Sequence, residues 1–281
     1  MDPQFYLAYD GSINADWVSR YAIHMASNQD NRKITLYHIL DGTYSTEKIQ
    51  LKISSIKEEC HAHQVELDFE ILPLKKNVYN TLIDNIPATS DSYCLCGARI
   101  TSRGKGFLAG TISEKLLRAK KFNVFSIRVV HPGTLGRPSN LLFPLAGHPR
   151  GFKAAMPFFQ MMAPDVQKLH LLRIMQINSL RFRYLSSESA KKLRQQGAEY
   201  VKIVEEEIRQ QIGESSLLLN SHVVVSDDWP KEILIHASQL KVRMILLGAS
   251  DRTLPSQFFY GNKLEQILRS TPCDVGIYRK I

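Results

Sequence analysis

The sequence predicts an α/β protein made of two tandem, doubly wound units, each with a five-stranded parallel sheet. Apolar runs of strand length alternate with segments of helical periodicity through the whole chain. The two halves share an internal repeat, and a segment rich in proline and glycine separates them. Strands that alternate with helices form parallel sheets that are covered by helices on both faces.

The first half contains five predicted strands and four predicted helices. The strands span 5–9, 33–40, 65–72, 93–96 and 123–129, and the helices span 13–27, 45–63, 78–86 and 111–120. A long glycine-rich loop separates the fourth strand from the last helix.

The second half repeats this alternation. Its strands span 140–145, 168–175, 217–225, 242–247 and 274–278, and its helices span 152–162, 187–212, 229–240 and 262–269. The helix at 187–212 is long and amphipathic and should stop at Gly213. Residues 131–139 (HPGTLGRPS) carry no periodicity, so we place a linker there, between domains at 1–130 and 140–281.

The repeat is clearest around the fourth strand of each half. The segment YCLCGAR at 93–99 aligns with MILLGAS at 244–250, and the same register continues without a gap. The matched positions are Gly97, Phe107, Gly110, Glu114, Leu117, Arg118 and Arg128 with Gly248, Phe258, Gly261, Glu265, Leu268, Arg269 and Arg279. A repeat of this length indicates a duplicated unit. The last strand of each unit would be a sheet edge, which we expect to pair with the other or with a second chain, as in a homodimer.

Composition restricts the class of protein and its partners. The chain has 281 residues, which suits two domains, and no apolar run approaches the roughly 18 residues of a membrane span. Four irregularly spaced cysteines and no secretion signal predict a cytoplasmic protein without a membrane partner. The formal net charge of +9 favours anionic partners, but the chain lacks zinc-finger spacing and a basic recognition helix, so we do not expect nucleic acid to bind.

The predicted site lies where the strand order of the first sheet reverses, outside the carboxyl ends of the strands. Asp10, Gly11 and Ser12 follow the first strand there, and the loop 97–111 (GARITSRGKGFLAGT) follows the fourth. The glycines permit close backbone approach, the basic residues offer counter-charges, and the loop ends at a helix N-terminus that favours an anion. The same residues have a structural interpretation, because Thr111 followed by Glu114 forms a capping box that needs no ligand.

These residues resemble the universal stress protein family, whose nucleotide-binding members carry Gly-x2-Gly-x9-Gly-[Ser/Thr] after the fourth strand and an Asp after the first. Asp10, Gly97, Gly110 and Thr111 match that pattern, and Ile100 replaces its second glycine. The resemblance implies an adenine-nucleotide-alpha-hydrolase-like fold with strand order 3-2-1-4-5. It also implies that ATP or AMP binds in the first domain. The rim position and the resemblance together predict that the nucleotide is contacted by Asp10, Gly11, Ser12, Gly97, Arg99, Gly110, Thr111 and Ser113.

The second half departs from the family pattern at three positions. Ala146 stands in place of the Asp, Asp251 in place of the second glycine, and Asn262 in place of the final Ser or Thr. A carboxylate near a phosphate repels it by roughly 4 kcal/mol at about 4 Å and an effective dielectric of about 20. We therefore expect the second domain to keep the fold and to lose triphosphate binding.

Other candidate sites are less consistent with the sequence. Cys60, His61 and His63 with Cys94 and Cys96 could supply zinc ligands, but structural cysteines and a surface histidine pair explain them better, so we expect no metal. Asp41 lies at the predicted rim of the first half, where it can either contact a ribose or cap a loop. Residues 148–150 lie at the equivalent rim of the second half, where they can form either a plain turn or an anion site.

The sequence predicts a binding protein with no catalytic residues. It carries no nucleophile elbow, metal-ligand pair or Walker lysine. We expect a stress-response sensor or regulator that acts on an unknown protein partner. The alternatives are a nucleotide-independent scaffold that uses its exposed surfaces or the 187–212 helix to bind a partner and, less favoured, a slow adenine-nucleotide hydrolase.

Overall fold

The computed structural model describes residues 2–98, 111–146, 149–213, 217–249 and 263–281, with the backbone alone for 149–151. Within these ranges no helix is both long enough and apolar enough to cross a bilayer. Arg99, Ile100, Gly110, Asp251 and Asn262 lie outside the described residues.

Strands and helices alternate in the first half as predicted. The strands are β1 (Gln4–Ala8), β2 (Lys33–Leu40), β3 (Glu66–Pro73), β4 (Ser92–Gly97) and β5 (Asn123–Arg128), and the helices are α1 (Ile13–Ser27), α2 (Thr46–Ala62), α3 (Val78–Asn85) and α4 (Ile112–Ala119). Each helix follows a residue whose side chain accepts a hydrogen bond from the first turn, which satisfies an otherwise unpaired amide. These N-caps are Ser12, Ser45, Asn77 and Thr111.

The second half has the predicted alternation with one additional helix. The strands are β6 (Asn140–Leu145), β7 (Lys168–Gln176), β8 (Leu218–Ser226), β9 (Met244–Gly248) and β10 (Asp274–Arg279), and the helices are α5 (Pro149–Met162), α6 (Ser179–Arg183), α7 (Ser187–Ile212), α8 (Trp229–Gln239) and α9 (Lys263–Ser270). The sequence did not predict α6 because five residues are too few to establish a helical period.

All ten strands belong to one sheet with the order β3-β2-β1-β4-β5-β10-β9-β6-β7-β8. Each half therefore has the order 3-2-1-4-5 that the family resemblance implies. We expected two sheets, but β5 and β10 pair antiparallel and make them continuous. Of the two ways to protect the last strands, the structure shows pairing with each other.

The junction between the halves has local twofold symmetry. Ser126 pairs with Ile277, and these residues occupy equivalent positions in the repeat. The symmetry is broken at the next pair of equivalent positions, Phe125 and Gly276. A Cβ atom on Gly276 would lie 2.6 Å from the ring of Phe125, so the aromatic side chain fits only because its counterpart is glycine.

The sheet separates two hydrophobic cores. Residues of α1, α2, α5 and α7 contribute to one core, including Ala22, Ile49, Phe158 and Val204. Residues of α3, α4, α8 and α9 contribute to the other, including Leu82, Leu116, Ile233 and Ile267. Because the two halves run in opposite directions, the carboxyl ends of their strands lie at opposite edges of the sheet, and their ligand-binding rims are separate.

The long helix α7 uses its apolar stripe inside the domain. Gly197, Val201, Val204 and Ile208 are buried, and a Cβ atom on Gly197 would lie 2.5 Å from Cγ1 of Val223 on β8. This helix therefore packs directly on the sheet through its apolar stripe. The scaffold alternative, which would use this helix or other exposed surfaces, stays a prediction. Gly213 ends the helix as predicted, at a positive φ of 72°.

Three neighbouring histidines lie where α8 packs on the sheet: His170 on β7, His222 on β8 and His236 on α8. Nδ1 of His170 is 3.3 Å from Nε2 of His222, and the ring centroids of His222 and His236 are 5.8 Å apart. Burial lowers the pKa of His170, and the neighbouring His222 and Lys168 lower it further. Burial also lowers the pKa of His222, with an added contribution from His236.

These histidines should make the fold less stable in mild acid. Because the pKa values of His170 and His222 fall below 6.5 in the folded chain, the unfolded chain binds more protons as pH drops through 6.5. The free energy of unfolding should therefore fall with pH below 6.5, which urea denaturation at a series of pH values measures. His222→Gln should make the free energy of unfolding depend less on pH, whereas His61→Gln, at an exposed position, should leave this dependence unchanged. The same pH dependence in both variants would contradict the prediction.

Candidate functional site

Two aspartates mark the carboxyl ends of neighbouring strands in the first half. Asp10 follows β1 and accepts a hydrogen bond from the amide of Ser12 at 2.9 Å, while Asp41 follows β2 and accepts one from the amide of Thr43 at 2.9 Å. Burial raises the pKa of Asp41, but the hydrogen bonds from Thr43, the nearby His38 and the backbone amide of Asp41 together outweigh this effect and leave the pKa lowered. Asp41 is therefore ionised at neutral pH and presents a hydrogen-bond acceptor at the rim.

Gly11 and Ser12 shape the turn between β1 and α1. Gly11 has a φ of 76°, and a Cβ atom there would lie 2.6 Å from Cδ1 of Ile49. The hydroxyl of Ser12 accepts a hydrogen bond from the amide of Ala15 at 3.2 Å. Both residues were predicted to contact a nucleotide, but the structure places them outside the cavity lining, where they form the turn and cap the helix.

The end of β4 approaches the first turn of α1 closely. A Cβ atom on Gly97 would lie 2.5 Å from Nδ2 of Asn14, so any larger residue would require this side-chain amide to move. Sequence reasoning missed Asn14. Its position in the first helical turn after Asp10, at the predicted rim, was the available signal.

Hydroxyl groups gather at the start of α4. The Thr111 hydroxyl accepts a hydrogen bond from the amide of Glu114 at 3.2 Å and lies 3.0 Å from the hydroxyl of Ser113. Both side chains are buried. The capping interaction of Thr111 is confirmed, and the carboxylate of Glu114 pairs with Arg118 at 2.8 Å. The helix N-terminus still favours an anion, because its amides and macrodipole point toward the rim.

These groups line one cavity of about 310 Å³. The polar part of its wall is formed by Asp10, Asn14, Asp41, Gly97, Thr111 and Ser113. Five of its apolar lining residues are Tyr37, Ile39, Val78, Leu82 and Ile112. The volume is at the lower end of the range of about 300–1,000 Å³ that is typical of small-molecule sites. An apolar floor with a few convergent polar groups suits a flat, partly apolar ring with hydroxyl and anionic substituents.

Two lining side chains are fixed by burial. Tyr37 stacks on Tyr6 with ring centroids 5.9 Å apart and donates to the carbonyl of Asn85 at 3.4 Å. Burial raises the pKa of Cys96 to about 12, so its thiol stays protonated and acts as an apolar contact. Neither residue was predicted as part of the site, because each reaches it from the interior of a strand.

The zinc hypothesis does not fit the sheet. Cys60 belongs to the core on one face, whereas Cys94 and Cys96 belong to the core on the other. These thiols therefore cannot share one metal ion. Among the described residues, no group of three or more His, Cys, Asp or Glu side chains is arranged to hold a metal.

The second half lacks the carboxylate of the first. β1 and β6 hold equivalent registers against β4 and β9, which places Ala146 at the position of Asp10. The alternatives for residues 148–150 remain predictions, because residue 148 and the side chains of the other two lie outside the described part of the chain.

Comparison with known families identifies the repeated unit. Residues 158–279 match the model of the universal stress protein family. The chain contains a universal stress protein domain. The match covers the half with the altered motif, and the first half repeats the strand order of the same domain.

Solved structures of two universal stress proteins and of one transporter domain share the fold over nearly the whole chain. One from Archaeoglobus fulgidus DSM 4304 has 14% identity and a TM-score of 0.65, covering 99% of this chain and 97% of that one. A putative one from Pseudomonas aeruginosa UCBPP-PA14 has 14% identity and a TM-score of 0.57, covering 98% and 92%. The cytoplasmic domain of a prokaryotic cation chloride cotransporter has 10% identity and a TM-score of 0.61, covering 100% and 96%. These identities establish the fold alone. No curated protein matches the chain.

Proposed function

We propose that the first half binds an adenine nucleotide, AMP or ATP, and that the protein acts as a nucleotide-dependent sensor or regulator. The observation that carries this proposal is the cavity at the carboxyl edge of β1 and β4, where the strand order reverses. Asp10 and Asp41 would accept hydrogen bonds from the ribose hydroxyls, and the apolar floor around Tyr37 and Leu82 would hold the adenine.

The phosphates would lie at the start of α4. Thr111 and Ser113 bring hydroxyl groups there, and the helix N-terminus adds a favourable potential for an anion. No described carboxylate of the second half occupies the place of Asp10, because Ala146 stands there. We therefore assign the nucleotide to the first half alone.

The proposed role is binding without catalysis. Ser113 is the described lining residue best suited to act as a nucleophile, and its hydroxyl bonds to the hydroxyl of Thr111. A serine needs an adjacent base to become a nucleophile. The described residues give Ser113 a capping neighbour and no histidine or lysine partner.

Isothermal titration with AMP and with ATP tests the nucleotide proposal. Asp10→Ala should weaken binding by roughly 10–100-fold, because it removes a charged hydrogen-bond acceptor worth about 1.5–3 kcal/mol. Asp30→Ala removes the same charge from an exposed loop and should bind like the wild-type protein. Lack of binding by the wild type, or equal affinity of the Asp10→Ala variant, would refute the site.

A further inference from the structure

A second surface, on the opposite edge of the sheet from the cavity, has no role in the proposed function. It is formed by α6 and the residue after it, 179–184, which follow the carboxyl end of β7. The side chain of Asn178 caps this short helix by accepting a hydrogen bond from the amide of Leu180 at 2.7 Å. Every residue from 178 to 184 is exposed.

The exposed face of α6 combines large apolar side chains with arginines. Leu180 is 66% exposed and Tyr184 is 86% exposed, and their spacing of one helical turn places them on the same side of the helix. Arg181 and Arg183 flank this pair, one on each side, at about 100° per residue around the axis. Neither arginine forms an ion pair or a side-chain hydrogen bond with the described residues, so both guanidinium groups face solvent.

We propose that the α6 face, residues 180–184, binds the surface of an anionic membrane. Leucine and tyrosine side chains of this size insert at the boundary between headgroups and acyl chains, and tyrosine keeps its hydroxyl at the polar level. Arginines beside them contact lipid phosphates, each contributing about a fivefold gain in binding to an anionic surface. The net charge of +9 adds a long-range attraction of the same sign.

Charge favours a membrane over a second copy of the chain as the occupant. A twofold contact between two α6 faces would bring Arg181 and Arg183 of both copies together, and this repulsion has no compensating carboxylate on the same face. An anionic bilayer supplies the opposite charge for both arginines. The sequence led us to expect no membrane partner because a spanning segment is missing, but surface binding needs none.

Co-sedimentation with vesicles tests this proposal on the full chain. The wild-type protein should sediment with phosphatidylcholine vesicles that contain about 30% phosphatidylserine, and far less with phosphatidylcholine alone. Arg181→Glu/Arg183→Glu should lower the partition coefficient at least about thirtyfold. Leu180→Ser/Tyr184→Ser should lower it as well, because this variant keeps the charge and loses the apolar contacts.

A charge-matched control separates local binding from general attraction. Lys57→Glu/Lys76→Glu makes the same change in net charge at exposed positions of the first half, so it should retain most of the binding. Circular dichroism should show that all variants stay folded. The proposal is overturned if the wild type ignores phosphatidylserine vesicles or if the lysine variant loses as much binding as the arginine variant. It is also overturned if sedimentation velocity shows that the α6 face forms a dimer instead.

Discussion

Replacing Asp274 by alanine is expected to lower the free energy of unfolding by about 3–5 kcal/mol. This fully buried carboxylate accepts hydrogen bonds from the amides of Val130 and His131, at 2.7 and 2.8 Å, through Oδ1. Its Oδ2 accepts from the hydroxyls of Tyr21 and Thr134, at 2.5 and 3.2 Å. Alanine would leave these donors without an acceptor and would separate the end of β5 from β10.

Asp274→Asn provides the matched comparison. Asparagine keeps one carbonyl oxygen that can accept from the two amides. Its NH₂ group can donate to the hydroxyl of Tyr21, which would then accept this hydrogen bond instead of donating one. The repeat already contains this arrangement, because Asn123 occupies the equivalent position and accepts from the amide of Ile281 at 3.2 Å. The asparagine variant should therefore lose only about 1–2 kcal/mol. Urea denaturation followed by circular dichroism measures both values, and equal losses would contradict the expectation that an uncharged side chain of the same shape can replace the carboxylate.

Replacing Phe158 by alanine is expected to cost about 3–5 kcal/mol. This fully buried ring on α5 lies 5.5 Å from the ring of Tyr93, 5.7 Å from Phe125 and 5.3 Å from Tyr278, measured between centroids. Tyr93 and Phe125 belong to the first half and Tyr278 to the second. The substitution would therefore open a cavity at the junction of the two halves, in the core that contains α5 and covers one face of the β5–β10 pair.

The number of unfolding transitions distinguishes a junction effect from a general loss of packing. If Phe158 couples the halves, the alanine variant should unfold with a lower midpoint and a broader transition, because the halves no longer unfold together. Phe69→Ala, at a position that is 45% exposed on β3, should change stability far less. A Phe158→Ala loss no larger than that of Phe69→Ala would disprove the role of the aromatic cluster.

The internal repeat predicted much of the architecture. The alternation of strands and helices and the equivalence of the two halves followed from the pattern. The need to protect sheet edges left pairing of the last strands with each other as one of two possibilities. The continuity of the sheet did not follow, because it depends on Phe125 fitting against Gly276 across the junction. Residues so far apart in sequence give no local signal of their contact.

The candidate site was predictable at the strand ends and helix starts. Asp10, Gly97 and Thr111 stand where a strand ends or a helix begins, and such positions converge on the rim of a parallel sheet. Asn14 and Tyr37 line the same cavity and were not predicted, because each lies inside an ordinary helix or strand pattern. Gly11 and Ser12 form the turn after β1 and cap α1, and their contacts with a ligand remain a prediction.

By itself the sequence determined the order of strands and helices, the duplication and the loss of the rim carboxylate at Ala146, since these depend on local periodicity and on residue identity. Only the tertiary structure decided that the two units share one sheet, that their rims face opposite edges and that the apolar stripe of α7 is buried while α6 is exposed. The physical reason is that hydrophobic burial and strand pairing act between residues distant in sequence, so that which apolar face is covered depends on the whole assembled fold.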